Sequence, residues 1–420
     1  MPSLQPILLL LFYFFTAISI YLGLLSLRGG VRFARYVQAE VSREYGEFTP
    51  FVTVFVPLRG IDEGLKENIA AVLAQDYPNY EIVFVSDDEN DQAWRVVEDA
   101  RRSFAGESDP AMQTIVAGRA TDRGQKVHNL SVAVRQANAK SEVLVFVDSD
   151  ARPRRDWLCS LVAPLQDVSI GAATGYRWFV PVRGGFASNL RSVWNAAIAS
   201  ALGADGKKNF CWGGSTAIRR STFEKCKVNE HWRGTVSDDF ALTRAVHEAG
   251  LPIKFVPQCL TPSFESCSLR ELVEFTTRQL KITRAYAAHL WKAVLFGSVI
   301  FVITFFGWIA LVAARVYLQL PIAMPLVLLL ILFAMGAMKS HLRLRAVAAI
   351  INDARVTCFA STLAHISLWP AASALYLYNA LVAAVSRRIE WRGIIYELKS
   401  PNETVIIRQQ ESGIRSQGSE

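Results

Sequence analysis

Apolar residues in this chain fall into two kinds of run. Long runs without charge occupy 6–27, 293–314 and 318–338, and each is long enough to cross a bilayer as a helix. A further long run, 356–385, is broken by Trp369–Pro370, which predicts a kinked or re-entrant segment. Short runs are confined to the stretch between. "FVTVFVPLRG" (51–60), "YEIVFVSDDEND" (80–91), "QTIVAG" (113–118) and "LVFVDSDARP" (144–153) read as strands, and the Leu-Val-Phe-Val run that opens the last is that of a buried central strand of a parallel sheet. Between them Leu65, Ile69, Val72 and Leu73 recur at helical spacing ahead of Pro78, and "AWRVVEDARRSF" and "NLSVAVRQANA" also read as helices. This alternation predicts a doubly wound α/β sheet, with ligands at the carboxyl ends of its strands.

The same pattern divides the chain. Residues 1–30 form an N-terminal anchor. It has neither the basic start nor the small-residue cleavage site of a signal peptide, so it is retained. Arg28, Arg32 and Arg35 place its far end in the cytoplasm. Residues 47–292 are the soluble domain, with a membrane-adjacent helix near 270–290. Residues 293–386 hold two to three further spans, and 387–420 form a basic, then polar tail, loose after Pro401. A basic block from Lys339 to Arg355 and another at Arg387, Arg388 and Arg392 both belong in the cytoplasm, and one crossing between them cannot satisfy both. The total is therefore three or four spans. Much of the net charge of +8 lies beside the apolar runs, which reads as attraction to anionic lipid and not to nucleic acid. The six cysteines are scattered singly, as in a reducing compartment.

Two of the strands discharge into acids: Asp87 and Asp88 after one, Asp148 and Asp150 after the other. Alternate residues of an extended chain point the same way, so Asp148 and Asp150 can share a target, and a divalent cation is the usual relief for their repulsion. A lone DSD is also a solvated turn with Asp148 capping a helix. Two such clusters at two strand ends favour a site. A third pair, Asp238–Asp239, opens a helix that Gly250 closes; Asp238 is expected to cap it, leaving the Asp239 carboxylate free.

In order along the chain, "DYPNYEIVF", "GQKVHNL", "VDSDARP", "GGSTAIRRSTFE", "SDDFALTRAVHEAG" and "IEWRGIIYEL" resemble the inverting GT-A glycosyltransferases, in particular the membrane-bound ceramide glucosyltransferase branch, over 47–398. The resemblance implies a GT-A type, Rossmann-like mixed sheet and a set of roles. Asp87, assisted by Asp88, would hold the uracil or ribose of a UDP-sugar. Asp148 and Asp150 would hold Mg²⁺ or Mn²⁺ on its diphosphate. Asp239 would be the catalytic base, with Asp238 beside the donor. Lys126 and Asn129 match a donor-binding segment, although a loop lysine is also simply solvated. Trp212 and Gly213 fall beside the expected sugar site, where an aromatic face can stack on the ring and glycine permits close approach; Trp212 also reads as ordinary core. Arg278 and Lys281 match the polar and basic positions of the family's (Q/R)xxRW motif, but Ile282 stands in place of its tryptophan. Charge for the diphosphate is kept and the aromatic shelf is lost. The same helix reads equally as a basic amphipathic segment on lipid headgroups.

The activity these readings imply is that of a multi-pass membrane hexosyltransferase with its catalytic domain in the cytoplasm. It would move a hexose, glucose first, from a UDP-sugar to the hydroxyl of a ceramide-like lipid acceptor with inversion. UDP-N-acetylglucosamine with a hopanoid or other lipid is the alternative. The spans are too few for a polymer channel. A nucleotidyltransferase would carry a glycine-rich phosphate loop that "LRGIDEG" does not make. An inactive membrane scaffold would have no need of the three acid clusters. The sequence carries no signal of oligomeric state.

Overall fold

Seven strands form the main sheet of the protein, whose computed structural model describes residues 4–43, 45–104 and 110–409. They are β1 (Val52–Pro57), β2 (Tyr80–Ser86), β3 (Ala111–Val116), β4 (Val143–Phe146), β5 (Ala172–Val180), β6 (Thr216–Arg219) and β7 (Ile253–Phe264), in the order β3-β2-β1-β4-β6-β5-β7. Only β6 runs against its neighbours β4 and β5; the other pairings are parallel. Every residue of β2 and β4 is buried, which is why these strands read as continuous apolar runs. The expected helices are present as Leu65–Leu73, Ala93–Ser103 and Gln125–Arg135. After β3 the chain returns to pair β4 with β1, so the strand order reverses there and a crevice opens beyond the carboxyl ends.

The core beneath that crevice is aromatic. Phe55 stacks on Phe146 at 5.5 Å, and Trp232 packs edge-on against Phe146 and Phe223 at 5.6 and 5.4 Å. Burying one such side chain contributes about 2–3 kcal/mol.

The tail is more ordered than expected. Strands β8 (Arg388–Trp391), β9 (Ile394–Ser400) and β10 (Glu403–Gln409) form a second, antiparallel sheet. The β-branched run from Thr404 to Ile407 favours pairing over a loose tail, and Thr404 donates to the Gly234 carbonyl at 2.7 Å. Residues 410–420 of the tail and 1–3 of the anchor lie outside the described residues. Both sheets belong to one compact unit, Ala39–Val180, Leu202–Glu265 and Arg387 onward.

The other unit, Met1–Gln38, Pro181–Ala201 and Ser266–Ser386, is helical. Among the described residues, one helix near the N-terminus and the helices Ala288–Tyr317 and Ala323–Ala348 are long and apolar enough to cross a membrane. The broken run is a pair of helices, Phe359–Ser367 and Trp369–Val385, bent by 55°. Three boundaries differ from the sequence reading. The first helix continues to Val41 through Gly29 and Gly30. Residues 318–322 make a turn, with Gln319 left-handed and Pro321 following, so the next helix starts only at Ala323. The helix expected near 270–290 runs Leu269–Tyr286, opened by a capping box between Ser268 and Glu271. Within this unit Trp308 donates to Thr16 at 3.0 Å, and the hydroxyls of Ser19 and Thr304 lie 2.7 Å apart, joining the first helix to the one from Ala288.

Candidate active site

Strand β4 ends at Phe146, and the chain then turns, with the Ala151 N–H donating to the Asp148 carbonyl at 3.1 Å. Asp148 and Asp150 do share a target, and it is a guanidinium. Arg177 Nη2 lies 2.8 and 3.0 Å from the two oxygens of Asp150 and 3.5 Å from Asp148 Oδ2. Arg177 stands on β5 just past a register shift at Gly175, where a bulge re-aims the strand. Its guanidinium packs on the rings of Phe179 and Trp212, each at 5.2 Å. Asp148 Oδ1 meets Lys126 Nζ at 2.6 Å, and the same ammonium reaches Asp238 Oδ1 at 3.1 Å.

These charges, half-buried except for the buried Asp238, set one another's protonation. Burial lowers the affinity of Lys126 for its proton, but Asp148 and Asp238 outweigh it and hold the ammonium well above the usual lysine range. Burial raises Asp148, yet Lys126 and Arg177 prevail and keep it below the usual carboxylate range. Asp150 is pushed up to about 6, by burial first, with Arg177 opposing and Asp148 adding repulsion. Asp238 also rises to about 6, by burial first, with Lys126 opposing and Asp239 adding repulsion.

The helix Asp238–Glu248 corrects the capping expectation. Its cap is Ser237, whose extended backbone lets the hydroxyl accept from the Phe240 N–H; Asp238 is already the first helical residue, and its side chain turns to Lys126. Nor is Asp239 wholly free, since its Oδ1 accepts from the Phe240 N–H at 2.8 Å and from the Ser237 hydroxyl. Gly250, at φ 73°, closes the segment as expected.

At the end of β2, Asp87 is 6% exposed. One of its oxygens pairs with Arg59, and Oδ1 is buried without a hydrogen-bond partner among the described residues. A buried, unsatisfied acceptor is costly unless a ligand donor meets it. Asp88 has local work: its Oδ1 accepts from the Asn90 N–H at 2.9 Å, and its carbonyl from Trp94.

The remaining expected residues divide. Gly213 lies against Lys126 and Asp238: a methyl group there would stand 2.7 Å from Lys126 Nζ and nearer still to the Asp238 carboxylate. Trp212 is buried, its ring against Arg177 and Tyr176, which is the core reading rather than an open stacking face. Asn129 is also buried, and its side-chain oxygen accepts from Gln125 at 2.8 Å, inside the helix that carries Lys126. Arg278 and Lys281 stand on the helix Leu269–Tyr286 of the other unit, where Arg278 lies over Phe275 at 5.7 Å and Lys281 donates to Ser386 at 3.3 Å.

Sequence reasoning named Lys126 but missed three other cations of the site. Arg177 was legible as a charge inside the apolar run "AATGYRWFV", and Arg59 and Arg392 as arginines before glycine in "PLRG" and "WRG". Asp62 was missed too; it accepts from the Ser149 hydroxyl at 2.8 Å and lines, with Glu63, Asp150 and Glu265, a small acidic pocket.

Among the described residues no three His, Cys, Asp or Glu side chains gather as a ready metal cage. Asp148 and Asp150 nevertheless converge on one cationic centre. Small divalent ions are commonly held by one or two carboxylates, with substrate phosphates and water completing the shell. The residues present fit an ion that binds together with a diphosphate.

Comparison with known proteins gives the setting. The family model for glycosyl transferase family 21 matches residues 11–404. Among solved structures the chain is similar to the mannosyltransferase PcManGT from Pyrobaculum calidifontis in complex with GDP-Man and Mn²⁺, at 20% identity over 89% of this chain and 98% of that one, TM-score 0.48. It is also similar to glucosyl-3-phosphoglycerate synthase from Mycobacterium tuberculosis in complex with Mn²⁺ and UDP-glucose, at 14% identity over 61% and 83% of the two chains, TM-score 0.37.

Proposed function

The chain belongs to glycosyl transferase family 21, and we propose that it moves a hexose, glucose first, from a UDP-sugar to the hydroxyl of a ceramide-like lipid, with inversion at the anomeric carbon. The observation that carries this reading is Lys126, held between Asp148 and Asp238, which joins the acids at the end of β4 to those opening the helix at Asp238. With Arg59 and Asp87 at the ends of β1 and β2, the crevice offers alternating charge of the kind a nucleotide diphosphate needs.

In this reading Asp87 Oδ1 accepts from the uracil or ribose, which satisfies the buried oxygen. Asp148 and Asp150 hold Mg²⁺ or Mn²⁺, which when bound neutralises charge building on the leaving diphosphate. Lys126 supports that charge as a point cation. The Ser237 hydroxyl and the Phe240 N–H fix one oxygen of Asp239, and its carboxylate takes the proton of the acceptor hydroxyl. The acceptor oxygen then bonds to the anomeric carbon as the bond to the diphosphate oxygen breaks, and UDP leaves with the electron pair. The apolar helices would keep this chemistry at a bilayer surface, with the arginines after the first span holding the catalytic unit in the cytoplasm.

Membranes from an expressing host, incubated with labelled UDP-glucose, UDP-galactose or UDP-N-acetylglucosamine, test the proposal. Chromatography of the extracted lipids should show label on a sphingolipid with UDP-glucose. Label on a hopanoid would replace the acceptor, and no labelled lipid with any donor would remove the reading.

A further inference from the structure

The turn between β8 and β9 follows the last apolar helix in the chain, yet its side chains reach the acids of the main sheet. We propose that Arg392, at the tip of this turn, binds the diphosphate of the nucleotide sugar and, through Asp62, positions the loop carrying Asp148 and Asp150. The proposal rests on the transferase reading above.

Arg392 and Gly393 both have left-handed backbone, φ 54° and 75°, and Trp391 pairs with Ile394 across them. Two left-handed residues in a two-residue hairpin favour Asn-Gly, so arginine in the first place is strained. Backbone strain of this kind persists where surrounding contacts hold it, and those contacts point to the site. Arg392 makes a two-pronged pair with Asp62, Nη1 to Oδ1 at 2.7 Å and Nη2 to Oδ2 at 2.9 Å. Asp62 Oδ2 also accepts from Ser149, the residue between Asp148 and Asp150. Arg392 Nη1 donates to the Arg59 carbonyl at 3.2 Å, and Arg59 Nε returns a bond to the Arg392 carbonyl at 3.1 Å while its other arm pairs with Asp87. Further along β9 the Tyr396 hydroxyl accepts from the Gln125 N–H at 3.1 Å, next to Lys126.

One hairpin thus touches the end of β1, the segment carrying Lys126 and, through Asp62, the turn after β4. Burial works against the charge on Arg392, but Asp62, Asp150 and Asp148 outweigh it, so the cation is retained. A diphosphate brought to Asp148 and Asp150 by a divalent cation would enter the field of a planar guanidinium whose donors match phosphate oxygens.

The test uses the full-length protein in detergent with Mn²⁺, UDP as probe and uridine as the phosphate-free comparison. Arg392→Asn removes the guanidinium but leaves the preferred Asn-Gly turn, so the hairpin is kept. The expected result is UDP affinity lower by about ten- to a hundredfold, the scale of a lost charge-assisted hydrogen bond. Uridine affinity should hold, melting temperature should fall because Asp62 loses its two-pronged partner, and Arg392→Lys should recover part of both losses. Equal loss for uridine and UDP would reduce Arg392 to a fold support and overturn the proposal, as would UDP binding unchanged in Arg392→Asn. A wild-type protein that does not bind UDP would instead overturn the transferase reading and this proposal with it.

Discussion

Arg177 Nη2 sits 2.8 and 3.0 Å from the two carboxylate oxygens of Asp150, so the acid marked by the sequence for a divalent cation already faces a cation of the protein. An incoming metal ion must share that carboxylate with the guanidinium or displace it. Two unit charges 4 Å apart interact by about 4 kcal/mol at an effective dielectric constant near 20, although solvent and relaxation return most of this. Arg177→Gln should therefore bind Mn²⁺ more tightly in the absence of nucleotide, by about tenfold. Electron paramagnetic resonance of free Mn²⁺ reads this directly, and weaker binding in the variant would show that the guanidinium does not compete.

Protonation should oppose the same ion. Burial raises Asp150 to about 6, with Arg177 pulling the other way. Below that pH the carboxyl carries a proton that a metal must expel, whereas Asp148 is held ionised by Lys126 and Arg177. Mn²⁺ affinity should fall as pH drops through about 6, by at most about tenfold per pH unit for one proton. Calorimetry at pH 5 and pH 7, in two buffers of different ionisation enthalpy, should detect proton release at the lower pH. Equal affinity and no proton release would refute the assignment.

Asp239 and Asp238 are adjacent but differently employed: one carboxylate is fixed by Ser237 and the Phe240 N–H, the other is bound to Lys126. Asp239→Asn keeps an oxygen for those two donors while removing the proposed base. Turnover should fall by about 10²–10⁴, the usual worth of general-base help, with UDP affinity nearly unchanged. Asp238→Asn should weaken UDP binding as well, because Lys126 loses one of its two carboxylates. If both variants lose only turnover, the division of labour is wrong.

The parts of this protein that were legible in the sequence are those set by burial. Strands β1, β2 and β4 are apolar on both faces and announce themselves; the long charge-free runs do the same for the candidate spans. The short antiparallel β6 has only four residues and no periodicity to detect. The β8–β10 sheet was hidden by its polar edge residues. Within the site the carboxylates stood out because acids after an apolar run are unusual. Of their cations only Lys126 did; Arg177 comes from another strand and Arg392 follows the apolar helices in the sequence, so only tertiary pairing brings these two in. The cap at Ser237 was misassigned to Asp238 because the two are neighbours and both residue types cap helices.

Gly213 supplies a test that changes no charge. Its missing side chain makes room for Lys126, since a methyl group would lie 2.7 Å from the ammonium and closer to Asp238. Lys126 has a flexible stem, but its head is pinned at 2.6 and 3.1 Å by two carboxylates, so it cannot retreat without breaking one pair. Gly213→Ala should therefore cost about 1–3 kcal/mol of stability through overpacking and reduce UDP affinity about tenfold, since the displaced ammonium no longer faces the diphosphate. Thermal unfolding and UDP calorimetry on the same preparation separate the two effects. Lower stability with unchanged affinity would mean that Lys126 supports the fold and takes no part in holding the donor.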